Sequence, residues 1–195
     1  MPKDYSPEKT PANQQRRPQN ARDDEWTRDF LLRGQVAYVA THWDEQPFIN
    51  PTMYWYDPDQ HRIFFHSNRK GRMRANSERH QQVCLAVSEF GRLLPSNIAL
   101  EFSIQYASVI VYGRLQILED SDERRYALDG LIHKYFPQFS PGREYRPITD
   151  TELLRTSVYA IAIDSWSGKE NWADQAGQSD DWPRLPEDLL NENRD

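Results

Sequence analysis

The sequence is short of cysteine and of long hydrophobic runs. Its 195 residues include one cysteine, Cys84, which excludes an internal disulfide and, within the apolar run 83–87, is most simply a small core residue. No stretch approaches the roughly 20 apolar residues of a membrane-spanning helix. The polar, proline-rich start has no signal-peptide core. We therefore expect a cytoplasmic protein.

Several common motifs for cofactor binding and catalysis are also missing. None of the eight glycines forms Gly-x-Gly, so there is no dinucleotide fingerprint, and the Walker lysine loop and the Gly-x-Ser-x-Gly motif are absent too. The five histidines lack the spacing that places two on one helical face, which argues against a metal site. The net charge of -6 argues against nucleic acid or an anionic membrane as partner. A mononucleotide cofactor remains open.

Composition divides the chain into a central domain and two polar ends. Residues 1–22 show no apolar periodicity, and we expect them to be disordered. Residues 23–172 carry the apolar patterns and are numerous enough to bury a core. Residues 173–195 form a predicted acidic tail, whose tryptophan and leucines leave open that it docks on a partner subunit.

Hydrophobic patterns in the central domain predict many strands and few helices. The predicted strands are 35–41, 47–56, 62–67, 82–89, 99–118 (one bent strand or two) and 157–164. The predicted helices are 23–34, 71–80, 120–137 and a short one that begins after residue 149. We expect a loop at 91–98 and a bulge at Gly113. Because strands and helices do not alternate, we predict a mainly β protein, a small antiparallel β-barrel with a few peripheral helices.

The most informative segment is 64–76, where an apolar strand turns through Gly71 into a basic segment. A phosphate monoester needs cations, a glycine that lets the backbone approach closely, and the free N–H groups of a following helix. This segment offers all three. Its cations are Arg69, Lys70, Arg72 and Arg74. The alternative interpretation is a solvated surface.

Two further segments are unusual for ordinary strands. Pro47 and Pro51 interrupt the segment 46–56, and such a strand belongs at a sheet edge or a bulge, where its unpaired backbone groups can bond a flat heterocycle. An ordinary edge strand is the alternative. In the segment 165–172, two tryptophans flank a Gly-Lys pair, which suggests that they cover a pocket or a subunit contact. Core packing is the alternative there.

Taken together, these segments resemble the pyridoxamine 5′-phosphate oxidase-like FMN-binding split barrels, especially the branch that includes nitroimidazole-resistance reductases. The resemblance runs from about Trp26 to Trp172. The segments that carry it are Gln-Pro-Phe-Ile-Asn-Pro-Thr (46–52), Phe-His-Ser-Asn-Arg-Lys-Gly-Arg-Met (65–73), Tyr-Ala-Ser-Val-Ile-Val-Tyr-Gly-Arg (106–114) and Trp-Ser-Gly-Lys (166–169). It implies a split antiparallel β-barrel.

The same resemblance implies a homodimer with two FMN sites at the subunit interface, each built from both chains. It places the phosphate at the turn that contains Arg72, and the flavin ring against the strand that contains Asn50. The full set of implied cofactor contacts is Asn50, Pro51, Thr52, Met53, Phe65, His66, Ser67, Lys70, Gly71, Arg72, Ser108, Trp166 and Lys169.

The implied activity is an oxidoreductase in which FMN passes electrons from a reduced nicotinamide to a small acceptor. Gly71 stands where true pyridoxamine phosphate oxidases usually carry a further arginine, and residues 160–172 lack their arginine-histidine motif, which argues against vitamin B6 oxidation. A non-catalytic flavin- or haem-binding protein, with His66 or another histidine on the iron, is the alternative. A deazaflavin is a third option.

Overall fold

In the computed structural model, which describes residues 2–191, eight strands form one antiparallel sheet, with five α-helices around it. The strands are β1 (Ala21–Arg22), β2 (Ala37–Trp43), β3 (Gln46–Thr52), β4 (Trp55–Asp57), β5 (Arg62–Asn68), β6 (Gln82–Leu94), β7 (Ser103–Ile117) and β8 (Thr156–Asn171). The helices are α1 (Asp24–Arg33), α2 (Arg72–Arg79), α3 (Ser121–Tyr135), α4 (Asp150–Arg155) and α5 (Glu187–Asn191). The predicted mainly β fold is confirmed.

The order of the strands makes the sheet curl. It reads β3-β2-β6-β7-β8-β5-β4, with β1 paired to β8. The strands β3 and β4 therefore lie at opposite edges of the sheet, yet only Met53 and Tyr54 separate them in sequence. The three Cα–Cα steps from Thr52 to Trp55 span at most about 11 Å, so the two edges must approach one another. This is the predicted split barrel.

The position of β3 at an edge explains how the sheet tolerates its prolines. Pro47 pairs with His42 and Pro51 with Tyr38, all on the single neighbouring strand β2. A proline donates no hydrogen bond to a ladder, which does least harm where one side of the strand has no partner. The prediction of an edge strand is confirmed.

The sheet has an inner face, which fills the barrel, and an outer face. Inner positions such as Val39, Leu85, Val109 and Tyr159 belong to one large buried cluster. The outer face is covered by α3 on the β5 side, where Phe64 and its neighbours form a second, smaller buried cluster. On β2, β6 and β7 the outer face is only partly buried.

Capping side chains fix the starts of three helices. Asp23 accepts from the backbone N–H of Trp26 at 2.9 Å, Asp120 caps α3, and Thr149 caps α4 in a capping box. These starts were predicted from the sequence and are confirmed. The helix α2 differs, because its N-cap is Gly71 and no side chain caps it.

Three predicted boundaries were wrong, all because strand pairing overrides local sequence signals. The predicted strand 47–56 is two strands at opposite edges. β6 runs into the predicted loop 91–98, because Leu93 and Leu94 pair with β7 after a register shift. β8 continues to Asn171 and includes most of the segment placed after the last strand. The predicted irregularity at Gly113 is confirmed by a register shift between β7 and β8.

Described segments near both ends of the chain contact the central domain. Ala21 pairs with Lys169, and the Asn20 side chain donates to the Tyr106 hydroxyl at 3.0 Å. On the C-terminal side, Asn97 bonds the backbone of residues 179–183. Disorder of the first residues and docking of the tail on a partner stay predictions, and residues 192–195 lie outside the described part. None of the described helices has the length and hydropathy to span a membrane.

Candidate functional site

The basic turn between β5 and α2 opens onto free space. Gly71 has φ +143°, a backbone conformation that residues with a side chain rarely adopt. A Cβ atom built on it would have no neighbour within 4 Å. The backbone N–H of Lys70 donates to Asn68 Oδ1 at 3.0 Å, which holds the turn in shape. A ligand can therefore approach the backbone of this turn closely.

The same turn presents positive charge that other side chains do not neutralise. Among the described residues, neither Lys70 nor Arg72 makes an ion pair with a carboxylate, whereas Arg74 pairs with Glu78 at 2.6 Å. The first N–H groups of α2 also lack a capping side chain. Uncapped N–H groups and the helix dipole add to the attraction for an anion. These features together fit a phosphate group.

Arg72 connects the turn to the edge strand β3. Its guanidinium carbon lies 4.9 Å from the centroid of the Phe48 ring. Phe48, Asn50 and Thr52 alternate along β3 and lie opposite inner-face residues of β2, so their side chains point to the inner face. Pro51 points to the outer face. The inner-facing residues of β3 and Arg72 thus border one region, beside the free edge of β3.

Two of the predicted contacts on β5 are engaged within the protein. Phe65 is buried and stacks on Tyr159, with ring centroids 4.8 Å apart. Its ring belongs to the core, so only its backbone is available to a ligand. The Ser67 hydroxyl lies 3.0 Å from the Tyr159 hydroxyl and from the Asn68 carbonyl oxygen. Ser67 faces the same side as Phe65 and stands at the start of the basic turn.

Met53 and His66 line a cavity of about 430 Å³ between β5 and α3, which we call the α3 cavity. Burial lowers the pKa of His66, so the neutral imidazole is favoured. The α3 cavity is also lined by Leu128, Leu131, Ile132, Phe136, Tyr145, Arg146, Ile148 and Glu152. The sequence predicted the apolar stripe of α3 but not that it borders a cavity, since periodicity shows which face is apolar and not what lies opposite.

Ser108 and Lys169 lie side by side on the outer face. They are direct partners in the β7–β8 ladder, and Ser108 also pairs with Ser88 on β6. The Lys169 ammonium lies 5.0 Å from the centroid of the Tyr106 ring. These two predicted contacts are therefore neighbours of each other, on the face of the sheet opposite to Phe48.

The structure separates Trp166 from Lys169. Trp166 lies opposite the buried Val111, on the inner face, and its indole N–H donates to Asp24 Oδ1 at 2.7 Å. Its ring packs edge-on against Tyr56. An odd spacing of three residues along a strand places Trp166 and Lys169 on opposite faces. Their joint contact with a cofactor stays a prediction.

One chain thus assembles most of the predicted contacts in three groups, and Trp166 and Pro51 lie outside them. The first is the basic turn with the inner face of β3, the second is the pair in the α3 cavity, and the third is the outer-face pair on β7 and β8. Sequence reasoning missed Phe48 and Tyr159, which hold Arg72 and Ser67. Both are aromatic residues on strands, where only the paired structure shows what they contact.

The structure combines an antiparallel sheet that curls into a split barrel with an open basic turn at the end of β5. The family model described as pyridoxamine 5′-phosphate oxidase matches residues 23–170. The chain therefore belongs to this family, as the sequence predicted. A comparison with curated protein sequences gave no match.

Solved structures show the same fold. The flavocytochrome Anf3 from Azotobacter vinelandii has a TM-score of 0.73 and 23% identity, over 89% of this chain and 85% of that protein. The FAD and haem binding protein from Mycobacterium smegmatis has a TM-score of 0.71 and 24% identity, over 82% and 76%. A putative 5-nitroimidazole antibiotic resistance protein from Bacteroides thetaiotaomicron has a TM-score of 0.63 and 21% identity, over 76% and 84%.

Proposed function

We propose that the protein is an FMN-dependent oxidoreductase. In this proposal the flavin takes electrons from a reduced nicotinamide and passes them to a small acceptor. The protein acts as a homodimer with the cofactor at the subunit interface. Its single cysteine, Cys84, is compatible with a reducing compartment, and we propose the cytoplasm.

The basic turn carries this proposal. A phosphate monoester is a dianion with several acceptor oxygens, and it binds best where N–H donors and cations converge. Gly71 leaves the approach open, α2 lacks a capping side chain, and Lys70 and Arg72 have no carboxylate partner among the described residues. A neutral ligand gains little from this arrangement, which supports a phosphate-bearing cofactor.

The edge strand β3 supports the placement of the flavin ring. Its free edge offers backbone N–H and C=O groups that the sheet does not use, and Asn50 and Thr52 flank them on the inner face. Backbone donors near the pyrimidine edge of a flavin favour its anionic reduced form. When bound, the flavin supplies the hydride and electron transfer. The side chains bind it, orient it and limit the access of water.

The outer face supports the homodimer. Tyr38 on β2 is 45% exposed, and Ile49 on β3 is 68% exposed. Their neighbours on this face are small or apolar residues, including Ala86 and Ile110. An exposed apolar face of this kind is typical of a protein interface. If a second copy packs against this outer face, Ser108 and Lys169 come within reach of the cofactor bound by the partner.

The visible spectrum of the isolated protein tests the flavin. We expect absorption bands of oxidised flavin, and mass analysis of the released ligand should give FMN. Anaerobic addition of NADH or NADPH should bleach the bands, and light scattering should give the mass of a dimer. A colourless protein that shows no flavin bands after incubation with FMN would contradict the proposal.

A flavin- or haem-binding protein without catalysis is the second candidate. His66 borders the largely apolar α3 cavity, where an imidazole can ligate an iron. Two proteins with the same fold are named for haem or cytochrome. Titration with haemin should then give a Soret band that His66→Ala loses, and nicotinamide should not reduce the bound cofactor. Release of FAD or a deazaflavin would change only the identity of the cofactor.

A further inference from the structure

The α3 cavity is a built pocket with mostly apolar walls. Leu128, Leu131 and Ile132 line it from α3, and Phe136 and Ile148 line it from the segment that follows. Its volume of about 430 Å³ lies within the range of about 300–1,000 Å³ that small-molecule sites occupy. Its size and its lining are those of a binding site for a compact apolar ligand.

Hydrogen bonds fasten the wall formed by residues 136–148. The backbone N–H of Gly142 donates to the Tyr145 carbonyl oxygen at 2.7 Å, and the Ser140 N–H donates to Glu144 at 3.0 Å. The Arg125 side chain donates to the Ile148 carbonyl oxygen. The cavity therefore does not depend on an unsupported loop, and its shape is set before a ligand binds.

The charged groups of the cavity neutralise each other. Arg146 bonds both carboxylate oxygens of Glu152, at 2.8 and 3.3 Å, and Glu152 also accepts from Thr149. These bonds lower the pKa of Glu152 to about 2, so both members of the pair are charged at neutral pH. The pair neutralises the Arg146 charge, so an anionic ligand meets no net positive charge in the cavity. A neutral ligand needs no such charge.

Met53 and His66 connect the cavity to the proposed flavin site. Both line the α3 cavity, and both are among the cofactor contacts that the family resemblance implies. His66 follows Phe65 on β5, and Met53 directly follows Thr52, the last residue of β3, so both residues adjoin the backbone that borders the proposed ring position. A ligand in the α3 cavity would thus lie beside the flavin.

We infer that the α3 cavity is the acceptor subsite and that it takes a neutral, flat, largely apolar molecule of one or two rings, with one oxygen bonded by the His66 imidazole. This inference rests on the proposed function, because an acceptor requires a bound flavin. The apolar walls select the rings, the mutually neutralised Arg146–Glu152 pair offers no net charge to a charged substituent, and His66 supplies one polar contact. A substrate phosphate would find no unpaired cation among the described residues that line the cavity.

The test compares two probes that share one ring system. The neutral probe is 2-methyl-1,4-naphthoquinone, and the charged probe is 1,4-naphthoquinone-2-sulfonate. Each is titrated calorimetrically into the full chain without flavin. We expect the neutral probe to bind at least about tenfold more tightly, because the apolar walls do not solvate a sulfonate and the neutralised ion pair offers it no net positive charge. Equal affinity, or tighter binding of the sulfonate, would overturn the inference.

A variant that fills the α3 cavity tests whether the neutral quinone binds there. Ile132→Trp adds a bulky ring to the lining and should reduce binding of the neutral quinone at least tenfold. Leu154→Trp is the matched control, because Leu154 is 64% exposed on α4 and does not line the cavity. Phe136→Ala, which removes part of a wall at a residue 46% exposed, is the second variant if Ile132→Trp does not fold. Unchanged binding in a folded cavity variant would refute the assignment.

A separate FMN titration distinguishes this inference from the proposed function. Wild-type protein that binds FMN but not the neutral quinone would contradict the acceptor subsite alone. Wild-type protein that does not bind FMN would contradict the proposed function, and with it the role of the cavity as an acceptor subsite. Ile132→Trp should keep its FMN affinity, since Ile132 lies away from the basic turn.

Discussion

Removal of the Arg72 guanidinium is the most direct test of the phosphate site. A hydrogen bond to a charged group contributes about 1.5–3 kcal/mol. Because no described carboxylate neutralises Arg72, its charge is available to the phosphate, and its stacking on Phe48 keeps it in position. We therefore expect Arg72→Ala to weaken FMN binding by about 2 kcal/mol or more, which corresponds to about 30-fold in Kd.

The assay separates the phosphate from the ring. FMN and riboflavin share the isoalloxazine ring, but only FMN carries the phosphate, so each is titrated into wild-type and variant protein. We expect Arg72→Ala to weaken FMN binding and to leave riboflavin binding unchanged. Arg79→Ala is the matched control, because Arg79 lies on the same helix and against the same Trp43 ring but pairs with Asp44. Its effect on FMN should stay within a few-fold.

Two results would refute this reasoning. Unchanged FMN affinity in Arg72→Ala would place the phosphate elsewhere. An equal loss for FMN and riboflavin would show that Arg72 acts on the ring or on the fold instead. Thermal melting of the variant, followed by circular dichroism, identifies damage to the fold.

Three further changes test the fold around the site. Gly71→Ala should lower the free energy of unfolding, measured by urea titration, by about 1–2 kcal/mol. The cause is backbone strain at φ +143°, because the new Cβ atom has no neighbour within 4 Å to clash with. Gly130→Ala should lower it by about 1–3 kcal/mol, because the new Cβ would lie 2.2 Å from the Trp55 ring. Burial lowers the pKa of Lys134 to about 7. Between pH 7 and 10.5, Lys134 is therefore mostly neutral in the folded protein and mostly protonated in the unfolded chain. The stability of wild type relative to Lys134→Met should therefore rise with pH over that interval, and a fall would contradict it.

Local signals predicted α1 to α4 but not α5. Asp23 and Asp120 are short acceptors at the start of an apolar stripe, and Gly34 closes α1, so these limits follow from a few neighbouring residues. The extents of β6 and β8 could not be predicted in this way. Residues 91–94 and 165–171 look like loops when read alone, and they become strand because β7 lies beside them along its whole length.

The candidate site shows the same difference between features that local sequence predicts and features that depend on strand pairing. The basic turn depends on a glycine and on charges within about ten consecutive residues, and the structure shows this turn open and uncapped where the sequence predicted a phosphate. The faces of the long strands depend on pairing. The bulge beside Gly113 shifts the alternation along β8, and this places Trp166 inside and Lys169 outside. Gly113 predicted an irregularity here, but only the pairing with β7 shows which residues of β8 change face.

The separation of the predicted contacts is itself an argument for two chains. In the strand order, β2 and β6 lie between β3 and β7, so three strand spacings, about 14 Å, separate the edge strand from Ser108. Ser108 and Lys169 also lie on the outer face, whereas Asn50 lies on the inner face. Side chains of one chain cannot close around a single ring across that distance and through the sheet. A second copy that docks its outer face against the free edge of β3 would remove both obstacles, and this is why the proposed site includes a dimer.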